Sequence, residues 1–291
     1  MLLIAETLAG EEGSSAALPL TPMVELAHNA SLIHDDIEDK SDERRGKPAI
    51  HLLYGNDAAI NSGSFLYFLP LTCMGKSQLS DRAKIAIYET WGLFMKRLHL
   101  GQAMDIAWHN DFYSKPQIPE YERMCRLKTG CLAGMAAVLA VQCVQDCLNK
   151  NGIAMSGDLP QKLEEGAQKL GVGFQILDDV KNLETGVPGK KRGDDIVEGK
   201  KSLPVLLFLH RYPEKQDFIV SCFSAARKFG INAAELEELI TALKTSGVLE
   251  EARERGAGMI QESRDFFSGI NSFSGKAETL LYGLIDFISD I

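Results

Sequence analysis

Paired cysteine motifs are missing from this 291-residue chain, and so is any surplus of basic charge. The six cysteines, at 73, 125, 131, 143, 147 and 222, form no CxxC pair. Most lie within apolar helical patterns, which points to buried thiols in a reducing compartment and away from a disulfide framework or zinc. A net charge of -9 gives no general attraction to nucleic acid or to anionic membranes. No basic segment precedes a short apolar run with a small-residue cleavage site, so a signal peptide is not supported. The most apolar stretch, GCLAGMAAVLAVQCV at 130–144, is shorter than the roughly 20 residues of a membrane span. It reads as a buried central helix, with no stable membrane insertion, and the chain reads as cytoplasmic. Alternating strand patterns are almost absent as well, which leaves little room for a sheet.

Apolar residues recur instead at three- and four-residue spacing through 23–34, 58–74, 82–107, 121–147, 162–182, 202–210, 216–228, 235–244, 248–268 and 276–289. Gly, Pro, Asn and Ser cluster at 10–19, 41–48, 110–119, 149–160, 185–193 and 229–232, the expected loops. The pattern predicts an all-α fold of about ten helices. With no flexible linker and no short repeat, residues 1–291 are expected to form one domain. The start, MLLIAETLAG, resembles the middle of an amphipathic helix without an N-cap, so the chain is expected to begin inside an element whose first part is absent.

What the chain does have is acid in unusual places. DDIED at 35–39 sets four carboxylates in five residues at the end of an apolar helix, where the helix dipole already adds negative charge. Either solvent screens this cluster or a cation sits in it. A second helix ends in Asp178 and Asp179, within GFQILDDVKN. Asp35 and Asp39 are four residues apart, as are Asp178 and Asn182, so each pair would share a helix face and could point into one cavity. Oxygen ligands without nearby His or Cys favour Mg²⁺, which uses one or two carboxylates and completes its octahedron with waters and phosphate oxygens. Bases follow both clusters: Arg44 and Arg45 after the first, and Lys190, Lys191, Arg192, Lys200 and Lys201 after the second. Arg and Lys suit phosphate, so the combination describes a diphosphate site. Taken singly, each element also reads as solvated surface charge.

These stretches resemble the aspartate-rich motifs of trans-isoprenyl diphosphate synthases: DDIED followed by RRGKP, and FQILDD followed by GKKRGDD and EGK. His28 in ELAHNASLIHDD, Gln102 and Asp105 in LHLGQAMDIAW, and the run Lys128, Thr129, Gly130 fit the same pattern, and the match covers about residues 1–210. The resemblance implies a single large helical bundle around a central cavity, normally a homodimer. It implies that an allylic diphosphate ionises and its carbocation alkylates isopentenyl diphosphate. It further implies Mg²⁺, three ions when diphosphate is bound, held by Asp35, Asp39 and Asp178, with Asp36 and Asp179 orienting the shell. By the same motifs Arg44, Lys128, Gln175, Lys190 and Lys200 contact the allylic diphosphate, His28 and Arg45 the isopentenyl diphosphate, and Thr129 joins the substrate-binding set. Asn182 stands where the family commonly has Asp, so metal binding should rest mainly on Asp178. The Gly-Lys-Arg segment that the family carries ahead of this start is absent, which would weaken the second substrate's site if Met1 is the true start.

Ala30 and Ser31, before the first cluster, are too small to stop a product at fifteen carbons. Tyr67, Phe68 and His99 match positions where some geranylgeranyl diphosphate synthases carry a bulky tunnel floor, which implies a C20 product. The alternative is that they are ordinary core aromatics. Two rival functions share parts of the pattern: a noncatalytic subunit of a heteromeric synthase, and a class I terpene cyclase. Both acidic clusters persist here with their bases, which favours the synthase.

Overall fold

The computed structural model describes residues 1–150, 157–186, 191–268 and 276–289. The chain opens with α1 (Leu2–Ala17), α2 (Thr21–Glu38), α3 (Ile50–Tyr54), α4 (Asn56–Phe68) and α5 (Asp81–Asn110). The middle comprises α6 (Ile118–Cys125), α7 (Cys131–Lys150) and α8 (Leu159–Glu184). Then come α9 (Asp194–Glu198), α10 (Leu203–Arg211), α11 (Gln216–Phe229), α12 (Ala234–Thr245), α13 (Val248–Ser268) and α14 (Lys276–Ser289). Among the described residues, strand is confined to the two-residue pair β1 (Glu43–Arg44) and β2 (Lys47–Pro48).

Most of the expected helices form, and the differences have local causes. The expected loop at 10–19 is largely helix. Ala9 and Gly10 break α1 with φ of -145° and 60°, and the chain then resumes its helix to Ala17. Gly13 lies against the backbone of Ala5, an approach that a side chain would block, so packing overrides the Gly and Ser loop signal. The helix expected over 58–74 stops at Phe68 and continues as a 3₁₀ stretch, Leu69–Lys76, where Pro70 cannot donate to an α turn. The 41–48 segment turns back on Arg45 and Gly46, at φ 53° and 74°, the paired positive values of a tight hairpin turn. This hairpin folds Arg44 back over the end of α2.

Two hydrophobic clusters build the interior. One gathers Met23 and Ala27 of α2, Phe94 and Leu98 of α5, and the inner face of α7 from Cys131 to Val144. The other joins Tyr121, Met124 and Cys125 of α6 to α10, α11 and α12. Helices α8 and α13 contribute to both. The apolar run 130–144 therefore lies within a core helix, as its length suggested. Residues 118–150 together are long and apolar enough to cross a membrane, but 61% of their most apolar window is buried inside the fold, so that apolarity is spent on packing.

Between α6 and α7 the helix opens into a single π turn, Arg126–Gly130. Three glycines pin this turn. A Cβ on Gly101 of α5 would lie 2.7 Å from the carbonyl carbon of Leu127, and one on Gly171 of α8 would lie 2.5 Å from the Gly130 Cα. Bare backbone is what lets α5 and α8 close on the π turn from two sides. Lys128 and Thr129 are thereby held between the helices that carry Asp105 and Gln175.

Candidate active site

The first acidic cluster ends α2, with Asp39 at the C-cap. Its carboxylates are engaged from four other segments of the chain. Arg44, returned by the hairpin, donates to Asp36 from Nε at 2.8 Å and Nη2 at 2.5 Å, and lies 3.4 Å from Asp35. Gln102 of α5 donates to Asp35 at 3.0 Å and to Glu38 at 2.6 Å. Lys128 bridges Asp105 at 2.6 Å and Asp35 at 3.2 Å. Lys200, 161 residues along the chain from Asp39, donates to it at 2.8 Å and pairs with Glu198 at 2.5 Å. Four cationic or amide side chains thus converge on one stretch of five residues.

The second cluster divides its labour. Asp178 lines a narrow cavity with Asp105, Lys128, Gln175, Asp195 and Lys200. Asp179 turns inward, where it accepts from Tyr121 at 2.6 Å, from Gln175 at 3.0 Å and from the Leu203 backbone at 3.1 Å. Thr129 completes the chain by donating to Gln175 at 2.7 Å. Asp179 therefore ties α6, α8 and the start of α10 together beside Asp178. The cavity measures about 40 Å³, room for a few waters.

Electrostatics follow burial and partners. Burial alone would lower Lys128 and Lys200, but Asp105 and Asp35 for the first, and Asp39 and Glu198 for the second, raise both above the ordinary lysine value. Both stay charged. Asp105 goes the other way: burial is outweighed by Lys128 and Lys200, and its carboxyl is held low. Burial, reinforced by Asp195, pushes Asp179 up to about 7 against the pull of its three donors. Burial also raises Asp36, with Arg44 opposing it.

Against known proteins, the polyprenyl synthetase family model matches residues 1–243. The chain belongs to the polyprenyl synthetase family. The chain is 28% identical to the geranylfarnesyl diphosphate synthase of Aeropyrum pernix, across 99% of the chain and 86% of that relative. It is 36% identical to the short chain isoprenyl diphosphate synthase of Methanocaldococcus jannaschii across 79% of the chain, which spans 66% of that relative's length. In structure it resembles the geranylgeranyl pyrophosphate synthetase of Pyrococcus horikoshii, with a TM-score of 0.85, 27% identity, and coverage of 100% of this chain and 84% of the other. The all-α isoprenoid synthase fold is shared throughout.

Do these residues suit the divalent cation that the family's chemistry calls for? Among the described residues no three His, Cys, Asp or Glu side chains group tightly enough to hold an ion unaided. Lys128 and Lys200 stand between the carboxylates. Magnesium needs only one or two of them, because phosphate and water supply its remaining oxygens. Asp39 Oδ2 is held by Lys200 at 2.8 Å, and that oxygen would pass to the cation once the lysine turns to phosphate. The donor set is all hard oxygen and fits.

Other sequence expectations sort themselves by geometry. His28 and Arg45 meet at 3.4 Å beside the first cluster. Tyr67 stacks on His34, with ring centroids 5.6 Å apart and planes 4° from parallel, and contacts His99 at 5.1 Å. Phe68 does not join them, being 69% exposed. Asn182 does not face the cavity beside Asp178: it is 1% exposed, and its side-chain oxygen accepts from the Asp195 backbone at 3.3 Å, bracing α9. Of the bases behind the second cluster, Lys200 reaches the first, while Arg192 turns to Glu237 and Lys201 is buried against Phe112 and Phe223. Lys190 lies outside the described residues. Sequence reasoning missed His34, His109 and Tyr121. His109 had a usable signal, since it falls four residues after Asp105 on the same helix face.

Proposed function

We propose that this chain is an (E)-prenyl diphosphate synthase, condensing an allylic diphosphate with isopentenyl diphosphate to geranylgeranyl diphosphate. One observation carries the reading: Asp35, Asp39, Lys128 and Lys200, drawn from three distant segments, form a single alternating array of acid and base beside Asp178. The array suits a doubly charged leaving group. Lys128, Lys200 and Arg44 exchange their carboxylates for diphosphate oxygens, and Gln175, which accepts from Thr129, adds a neutral hydrogen-bonding group to the pocket wall. Holding these charges in place before reaction is what stabilises negative charge as the allylic C–O bond breaks. Magnesium held by Asp35, Asp39 and Asp178 would supply Lewis-acid neutralisation of the departing diphosphate, with three ions in the full site. His28 and Arg45 are assigned to isopentenyl diphosphate, and Lys190 to the allylic diphosphate by its motif. After the carbocation alkylates the double bond, a proton leaves the new chain and no protein nucleophile takes part.

The C20 assignment is supported by small Ala30 and Ser31 above the packed Tyr67, His34 and His99. A homodimer is proposed on the apolar outer face of α3 and α4, where Leu52, Leu53, Tyr54, Phe65 and Phe68 are all more than half exposed. Phe68 is assigned to that face. Residues 1–291 are treated as one catalytic unit because α8 and α13 serve both cores. A cytoplasmic location accords with free thiols, five of the six buried.

The test is incubation of the chain with Mg²⁺, farnesyl diphosphate and labelled isopentenyl diphosphate, with products resolved by length and a metal-free control. A C20 diphosphate that vanishes without metal is expected. Absence of product alongside retained allylic diphosphate binding would overturn the catalytic reading in favour of a noncatalytic subunit, and a hydrocarbon product would identify a cyclase.

A further inference from the structure

The fully buried Asp39 side chain has one satisfied oxygen and one that is not. Oδ2 accepts from Lys200 at 2.8 Å, whereas Oδ1 has no hydrogen-bond partner. Facing it at 3.9 Å is Nδ1 of His109, on an imidazole only 6% exposed, and that nitrogen is unpartnered too. Two buried polar atoms left unpaired are costly, and here each is the other's answer. The gap exceeds hydrogen-bond length by under about one ångström, a shift that a side-chain rotation supplies. His109 is well anchored for it, because its own carbonyl accepts from Arg227 at 2.9 Å.

We propose that His109 is a positioning residue for Asp39, its Nδ1 fixing the orientation of the carboxylate oxygen opposite. The rest of α5 shows the same logic. Gln102 engages Asp35 and Glu38, Asp105 holds Lys128 against Asp35, and His109, one turn further on, completes the set at Asp39. A single helix face addresses three carboxylates of the first cluster in order. The role becomes decisive when Lys200 leaves for a diphosphate. Asp39 then loses its ammonium partner, and His109 is the group that still sets its direction. Groups that hold a metal-ligating carboxylate from behind are worth about 10–100-fold in metal affinity.

The inference rests on Asp39 being a metal ligand, and the experiment separates the two claims. Mn²⁺ is titrated into the full chain with inorganic diphosphate present, and free Mn²⁺ is followed by electron paramagnetic resonance. His109→Leu should weaken Mn²⁺ binding by about tenfold or more. His109→Asn, whose amide nitrogen takes the place of Nδ1, should restore affinity to within a few-fold, while His109→Gln, which reaches the Nε2 position instead, should not. Wild-type affinity in His109→Leu, or equal losses in the Asn and Gln variants, overturns the proposal. The Asn and Gln pair decides even if the Leu variant fails to fold. Asp39→Ala is the control: if it too binds Mn²⁺ like the wild type, the metal role of Asp39 falls and this inference with it. If it binds weakly while all His109 variants bind normally, only this inference falls.

Discussion

Gly101 of α5 lies directly against the backbone nitrogen of Lys128, with no room for a Cβ between the two helices. The obstacle on the far side is backbone, which cannot swing aside. Gly101→Ala should therefore push α5 off the π turn, destabilise the protein by about 1–3 kcal/mol, and loosen the Asp105 to Lys128 pair. Denaturant unfolding of the variant measures the first effect. An unchanged midpoint would mean that the crossing is slack.

Asp178 lines the cavity and Asp35 accepts from Lys128, another of its lining residues, and neither carboxylate is part of the apolar core. Asp35→Ala or Asp178→Ala should lower turnover by about 10²–10³-fold or more with little change in melting temperature. Steady-state kinetics with saturating Mg²⁺ check this. Retained rates in either variant would remove that residue from the metal assignment.

Tyr67 stacks on His34 and contacts His99. On the proposed assignment of Tyr67 to the tunnel floor, removing the ring in Tyr67→Ala should lengthen the product by one or more isoprene units. Chromatography of the dephosphorylated products gives the answer, and an unchanged C20 profile would return Tyr67 to ordinary packing.

Lys201 is 2% exposed, its ammonium 4.7 Å from the centroid of Phe223 and hydrogen-bonded to the Gly199 carbonyl. Burial pushes its pKa down to about 8 from 10.5, with Asp111 opposing. Between those values the unfolded chain binds more protons than the folded one, so stability should rise as pH climbs from 8 to 10.5. Below 8 the full penalty of a buried charge applies, partly offset by the two aromatic rings. Lys201→Met should raise stability at neutral pH by about 1–3 kcal/mol and flatten that rise. Urea melts across the window would refute this if both proteins showed the same slope.

How much of this could be read from the chain depends on the range of the interaction. Helices were legible because apolar spacing is a local property, and both acidic clusters were legible because like charges at a helix end demand an explanation. The partner of each charge was not. Periodicity gives no means of pairing Lys200 with Asp39 across 161 residues, and only the family motif brought Lys200 to the site. Arg192 and Lys201 look equally basic in sequence, yet one meets Glu237 and the other two rings. Asn182 keeps the helical spacing to Asp178 but spends its side chain on α9. Gly13 carried a loop signal that its contact with Ala5 overruled, whereas Gly10 does interrupt its helix.

The π turn at Arg126–Gly130 adds a residue to one helical turn, and so shifts the phase of everything after it by about 100° relative to an uninterrupted helix. Upstream, Tyr121, Met124 and Cys125 face one core; downstream, Cys131 and Met135 face the other. The rod from 118 to 150 works as a coupling between two interiors, and its joint is where Lys128 and Thr129 emerge. Deleting one residue there would leave a more regular helix and a worse protein, with one apolar stripe rotated into the wrong neighbour.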